Sequence, residues 1–122
     1  MQKEYRFYIY ILTNYTKTVF YVGFTNNIIR RIIEHKNDFG GNFTRKYKLK
    51  YLVYFEECDN VYSGMEREKE VKKWRREKKI NLIKNINSNL NDISGELFRD
   101  NDITEKEIGE IAKELREKYI LQ

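Results

Sequence analysis

The sequence has few of several residue types, and each shortage excludes a class of protein. Its 122 residues contain one cysteine, Cys58, and one histidine, His35. A single cysteine excludes an internal disulfide and a metal cluster built on cysteines. No apolar run approaches the ~20 residues that cross a bilayer. The charged start Met1-Gln2-Lys3-Glu4 is also unlike a signal peptide. We therefore expect a cytoplasmic protein that makes no membrane contact.

Positive charge is in excess, but it is unevenly distributed along the chain. The net charge is +5. Residues 1–80 hold 18 Lys and Arg against 10 Asp and Glu, whereas residues 81–122 hold 6 against 9. A basic body with an acidic tail favours a polyanionic partner for the body. The alternative is a lysine-rich solvated surface with no such partner.

The first half of the chain shows two strand patterns and one helix pattern. Within residues 6–12, the side chains that would point to either face of a strand are largely apolar, which predicts a strand covered on both faces. A polar turn and a second strand over residues 19–23 complete a hairpin. Asn26 or Asn27 then caps a helix whose buried stripe contains Ile28, Ile29, Ile32 and Ile33. Arg31 and His35 lie one turn apart beside that stripe.

The second half predicts one strand and several helices. Residues 39–50 are expected to form a basic loop, and residues 51–56 a third strand. A long helix should run from Asp59 or Asn60 to about Lys79, followed by a short helix over residues 80–86. Residues 88–101 are polar and have the composition of a linker. Thr104 begins a capping box for a terminal helix with an apolar stripe of Ile108, Ile111 and Leu115.

The predicted order is β-β-α-β-α-α with an extra C-terminal helix, which is an α+β fold. Its three-stranded mixed or antiparallel sheet should be flanked by helices. We expect one domain over residues 1–87, followed by a linker and helix over residues 88–122.

Hydrolysis of a phosphodiester needs an activated water, compensation of negative charge and a stabilised leaving oxygen. Glu68 is a candidate ligand for Mg²⁺ or Mn²⁺, which prefer oxygen ligands. It occupies a helix position where spacing from Val61 and Met65 predicts an apolar residue. A carboxylate there is costly to desolvate unless it is paired or metal-bound. Alternatively, Glu68 is one more surface glutamate on a charged helix.

Four other residues complete the candidate set. Arg31 could contact the scissile phosphate and lower the pKa of a nearby tyrosine. His35 could relay a proton or hold a phenol by a hydrogen bond. Tyr10 and Tyr21 each also fit an ordinary aromatic side chain of a strand. Taken singly, each of the four has a purely structural interpretation.

Together, these residues resemble a known family. Over residues 7–83 the chain is similar to the GIY-YIG nuclease superfamily, and most similar to its small stand-alone bacterial branch, related to the N-terminal nuclease domain of the excinuclease C subunit. Tyr8-Ile9-Tyr10 takes the place of the first motif, with Tyr8 replacing its glycine, and Tyr21-Val22-Gly23 takes the place of the second. Arg31 follows ten residues after Tyr21, with His35 four residues later. The stretch 65–74 resembles the branch's glutamate helix and selects Glu68 rather than Glu66 or Glu70.

The resemblance implies a single-metal phosphodiesterase. Tyr10 would act as or assist the general base, and Tyr21 would position the nucleophile or the phosphate. Arg31 would stabilise the transition state, His35 would orient a tyrosine, and Glu68 would hold the single Mg²⁺ or Mn²⁺ ion. Some relatives add an asparagine, for which Asn81 and Asn85 are both open candidates. The implied function is a structure-selective or weakly specific DNA endonuclease in DNA repair or processing.

Basic residues around this set should contact the phosphate backbone and bind without reading sequence. Lys46, Lys48 and Lys50 would project to one side if their segment were extended. No helix-turn-helix or zinc finger is present, so a protein partner could supply specificity. Two alternatives stay open: a catalytically weak binding module of the same fold recruited by a partner, and a structural basic domain. The expected DNA-contacting residues are Arg30, Thr44, Arg45, Lys46, Lys48, Lys72 and Lys73.

Overall fold

The computed structural model describes residues 6–120. The sheet has three antiparallel strands in the order β2-β1-β3: β1 (Phe7–Thr13), β2 (Phe20–Thr25) and β3 (Tyr51–Cys58). The helices are α1 (Ile28–Lys36), α2 (Asn42–Lys46), α3 (Val61–Lys73), α4 (Arg76–Lys84), α5 (Ser94–Asp100) and α6 (Glu105–Tyr119). The α+β prediction is confirmed, with a purely antiparallel sheet flanked by helices.

Strand β1 is the centre of the molecule because both of its faces are apolar, as its sequence predicts. On one face Tyr10 and Leu12 join a buried cluster with α1, α5 and α6. On the other face Ile9 and Ile11 join a cluster with α3 and α4. The sheet thus separates two hydrophobic layers, and the side chain of Tyr10 belongs to the layer that contains α1.

Residues 42–46 form the short helix α2, so the predicted loop over residues 39–50 is wrong over that part. The segment carrying Lys46 and Lys48 is consequently not extended, and Lys48 has a left-handed φ of 56°. Alternate projection of Lys46, Lys48 and Lys50 does not occur.

The predicted long helix to Lys79 is interrupted at Trp74 and Arg75, whose ψ angles of 148° and 156° are extended. Trp74 packs against the α3–α4 layer, and the Lys78 ammonium lies 4.2 Å from the centre of its ring. The break sets α4 in a direction that buries Ile83 in the same layer. Packing of one aromatic residue therefore outweighs the continuous helical pattern.

The predicted linker over residues 88–101 contains α5 and an ordered polar network. The Asn87 side chain donates to the Val53 carbonyl, and the Asp92 carboxylate accepts from the Leu52 backbone N–H. These side chains satisfy backbone groups of edge strand β3, which explains why a polar segment is ordered.

The C-terminal helix α6 begins at the predicted Thr104 capping box and packs on α1, burying Ala112 and Leu115. No helix within residues 6–120 is long and apolar enough to cross a membrane.

Candidate active site

Tyr10 lies in the middle of the central strand and is fully buried. Its partner in β2 is Gly23. A Cβ atom at position 23 would lie 2.2 Å from Tyr10 Cζ, far inside van der Waals contact. Gly23 therefore leaves the space that the Tyr10 ring occupies.

The Tyr10 hydroxyl joins two side chains of α1. Arg31 Nε donates to Tyr10 Oη at 3.1 Å, and His35 Nε2 shares a hydrogen bond with the same oxygen at 2.9 Å. The helical spacing of Arg31 and His35 places both on the turn that faces β1. The structure thus brings three of the five predicted site residues into one hydrogen-bonded cluster.

Two glycines close the cluster from the loop after α1, for different reasons. At Gly40, an added Cβ would lie 2.0 Å from His35 Nδ1, and the Gly40 carbonyl accepts from Arg31 Nη2 at 2.8 Å. At Gly41, open space surrounds the Cα atom, but φ is 134°, which other residues rarely adopt. Gly40 shapes the site by lacking a side chain, and Gly41 shapes it through its backbone.

Burial controls the protonation of the cluster. It raises the pKa of Tyr10 well above its usual range, although the Arg31 guanidinium offsets part of that effect. Burial and the adjacent Arg31 lower the pKa of His35 to about 3. Tyr10 is therefore a neutral phenol and His35 a neutral imidazole near pH 7. His35 Nδ1 is buried and makes no hydrogen bond with the residues that the structure describes.

Tyr21 lies on the exposed side of the cluster. Its ring centre is 6.2 Å from that of Tyr10 and 5.8 Å from that of His35. Unlike Tyr10, Tyr21 is only partly buried. Tyr21 is consequently the more accessible phenol of the pair.

Glu68 lies on α3, which packs on the opposite face of the sheet from α1. It occupies the same helical stripe as Gly64 and Val71, both buried. A Cβ at position 64 would lie 2.5 Å from the Phe24 ring, so the glycine marks a close approach of α3 to edge strand β2. The Glu68 carboxylate is 20% exposed and is paired with Lys72. Within residues 6–120, no hydrogen bond or ion pair joins Glu68 to the Tyr10 cluster.

The Glu68 carboxylate fits a single hard cation. It already binds a positive group, the Lys72 ammonium, whose side chain is 49% exposed and free to move away. Among residues 6–120 no three His, Cys, Asp or Glu side chains lie together as a metal cage. An ion at Glu68 would therefore keep most of its water ligands, as Mg²⁺ commonly does.

The predicted DNA-contacting residues lie in different places. Arg45, Lys46 and Lys48 are exposed on and just after α2. Thr44, by contrast, is buried, and its hydroxyl donates to the Gly41 carbonyl. That hydroxyl supports the turn into α2 and does not face solvent.

The remaining predicted residues lie on α1, α3 and α4. Arg30 forms an ion pair with Glu114 of α6 at 3.6 Å. Lys72 and Lys73 are exposed at the end of α3. Asn81 and Asn85 are exposed at the end of α4, so their role in the site stays a prediction.

Sequence reasoning missed two residues that hold Arg31. Glu34 Oε1 lies 3.6 Å from Arg31 Nη1, and Gly40 accepts from the same guanidinium. The i,i+3 spacing of Arg31 and Glu34 on a helix could have predicted their ion pair. The carbonyl of Gly40 has no signal in the sequence, because any residue carries one.

Comparison with known proteins gives a family match that spans the candidate site. The GIY-YIG catalytic domain model matches residues 6–81, which include all five candidate residues. A UPF0213 protein of Clostridium perfringens is 40% identical over 76 residues, covering 62% of this chain and 81% of the relative. A UPF0213 protein of Natronomonas pharaonis is 37% identical over 76 residues, covering 62% of this chain and 88% of the relative.

A solved structure is also similar: the solution NMR structure of a UPF0213 protein of Bacillus halodurans. It is 30% identical with a TM-score of 0.46, and the match covers 69% of this chain and 88% of that one. The family match ends before α5 and α6, which lie outside it. With well over half of the sequence matched, and its tyrosines, arginine and histidine gathered on one face of the sheet, this chain belongs to the GIY-YIG family.

Proposed function

We propose that this protein is an endonuclease that hydrolyses phosphodiester bonds of DNA, with one divalent ion held by Glu68, in DNA repair or processing. The observation that carries the proposal is the cluster in which the Tyr10 hydroxyl contacts Arg31 and His35. A core packing role alone does not require a buried phenol bonded to both a guanidinium and an imidazole. Family membership supports the nuclease class.

The two phenols would have different tasks. The raised pKa of Tyr10 argues against Tyr10 carrying a negative charge in the free protein. Tyr21 is closer to solvent, and its ring neighbours those of Tyr10 and His35. We assign Tyr21 to align the attacking water through its hydroxyl group, and Tyr10 to orient Tyr21 and Arg31. This revises the expectation that Tyr10 acts as or assists the general base.

Arg31 would supply positive charge to the phosphate during the reaction. Its guanidinium is fixed by Tyr10 and by the Gly40 carbonyl, so it is oriented before the substrate arrives. Preorganised donors of this kind lower the barrier because they do not have to rotate during the reaction. Neutral His35 would keep the Tyr10 hydroxyl in place rather than add a second positive charge.

When bound, a divalent ion stabilises the negative charge that develops on the leaving oxygen. Glu68 would hold that ion from α3, which packs against β2, the strand that also carries Tyr21. Lys72 would release the carboxylate to the ion. Because Lys72 is half exposed, separating its ammonium from Glu68 costs little free energy.

The decisive experiment compares wild type with Glu68→Gln on end-labelled single-stranded, flap, branched and duplex DNA, with Mg²⁺ or Mn²⁺. Wild type should cut at least one substrate only when metal is present. Glu68→Gln should be slower by about 10²-fold or more, because a neutral amide binds the ion weakly.

Glu66→Gln is the matched control, because Glu66 is an exposed carboxylate on the same helix. It should cut at the wild-type rate. Equal activity of wild type and Glu68→Gln would refute the assigned metal ligand. Binding without cutting by every variant would favour a catalytically weak binding module.

A further inference from the structure

Two aromatic side chains, one on α2 and one on the residue that follows it, are exposed beside the candidate site. Phe43 and Tyr47 are 48% and 41% exposed, and their ring centres are 4.8 Å apart. We call this pair the aromatic platform. The two rings lie one helical turn apart, so they form a single surface rather than two isolated residues. Leaving this much aromatic area in water is unfavourable unless something covers it.

The platform continues directly from the candidate site. The Phe43 ring centre lies 6.3 Å from that of Tyr21, the more accessible phenol of the site. Tyr21 in turn neighbours His35 at 5.8 Å. A strand whose phosphate lay at Tyr21 would therefore place an adjacent nucleotide over Phe43 and Tyr47.

One cationic side chain lies against the platform, and others are near it in the chain. Lys46 Nζ lies 5.3 Å from the centre of the Tyr47 ring, and Arg45 and Lys48 are exposed close by in the chain. Residues 39–55 contain four Lys and Arg and no Asp or Glu. This local positive charge suits a polyanion. An acidic ligand without aromatic groups would match only the charge, and an apolar ligand would match only the aromatic rings.

The geometry points to an unpaired nucleobase as the occupant: we propose that Phe43 and Tyr47 stack on a base next to the phosphate being cut, so that the preferred substrate is single-stranded or frayed DNA. An exposed aromatic face with cations beside it is the usual surface for unpaired bases, whose own faces are free to stack. In a duplex those faces are covered by neighbouring base pairs. The inference rests on the proposed function, which locates the scissile phosphate.

The test measures binding in a Glu68→Gln background, where cleavage does not interfere. The probes are a fluorescein-labelled single strand and a fluorescein-labelled blunt-ended duplex with the same number of phosphates, at one fixed salt concentration. Adding Tyr47→Ala should weaken single-strand binding about 5- to 100-fold and duplex binding by no more than about twofold. Tyr47→Phe, which keeps the ring, should bind like the parent.

Tyr15→Ala is the matched control, since Tyr15 is exposed on the β1–β2 turn. It should leave both affinities unchanged. A single strand carrying one 2-aminopurine should also lose fluorescence on binding the parent, and should lose less on binding Tyr47→Ala.

Unchanged single-strand binding by Tyr47→Ala would overturn the inference, and so would an equal loss on the duplex. These results do not depend on catalysis. If the proposed nuclease activity failed, the single-strand preference would still be measurable, so the two failures are distinguishable.

Discussion

Tyr10 Oη and His35 Nε2 share a hydrogen bond in the layer that contains α1. Hydrogen bonds with His35 and Arg31 offset the desolvation cost of the Tyr10 hydroxyl, whereas buried His35 Nδ1 makes no hydrogen bond with residues 6–120. The sequence allows the roles of these residues to be predicted from motif spacing. Their burial and the resulting pKa shifts could not be predicted, because they depend on the packing of α1 against β1.

The burial of neutral His35 gives the first residue-scale prediction. Its pKa is about 3 in the folded protein and about 6.5 in an exposed chain. As the pH falls through this interval, the unfolded state gains a proton that the folded state does not bind. The free energy of unfolding should therefore fall with decreasing pH, by about 1.4 kcal/mol per pH unit from this group alone.

Urea denaturation of wild type and His35→Gln from neutral pH to about pH 4 measures this effect. Each protein gives a slope of unfolding free energy against pH. The difference between the two slopes isolates His35, because other groups titrate in both proteins. Parallel curves would mean that His35 is not a buried neutral imidazole.

At the scale of elements, α6 stabilises the layer that contains the site. Leu115 is fully buried against α1 and its neighbours. Leu115→Ala should lower the free energy of unfolding by about 2–5 kcal/mol, because it removes buried methyl groups and leaves a cavity.

Ile120→Ala is the control, since Ile120 is largely exposed at the end of the same helix. It should change stability by less than about 0.5 kcal/mol. Thermal or urea unfolding of both variants makes the comparison. Equal stabilities would show that α6 does not pack on the body in solution.

Elements differed in how well the sequence predicted them. The strands, α1 and α6 followed from clear periodicity and caps such as Asn27 and Thr104. Helix α2 was missed because its five residues are too short for a periodic signal. The break at Trp74 was missed because it arises from tertiary packing of one ring, without a glycine or proline to mark it.

At the scale of the whole molecule, positive charge is concentrated in the residues before α4 ends and negative charge in the tail. Affinity for DNA should therefore fall as salt rises, with a logarithmic slope set by the number of phosphates contacted. Lys46→Gln and Lys48→Gln should each reduce that slope by about one. Lys113→Gln, an exposed lysine of α6, should leave it unchanged.

Fluorescence titrations of DNA at several salt concentrations provide these slopes. A reduction by Lys113→Gln equal to that of Lys46→Gln would mean that the phosphate contacts are not localised near α2. The distribution of charge was predictable from the sequence. The position of Lys46 over the Tyr47 ring, beside Phe43, required the fold.

The hydrogen bond between Tyr10 and the only histidine of the chain has a practical consequence. In a nitrogen NMR spectrum, the imidazole signals of this protein come from one residue, so they need no assignment. That residue contacts the central phenol of the candidate site. In protein enriched in nitrogen-15, the sole imidazole is thus a built-in spectroscopic reporter of whatever DNA or metal does to the site.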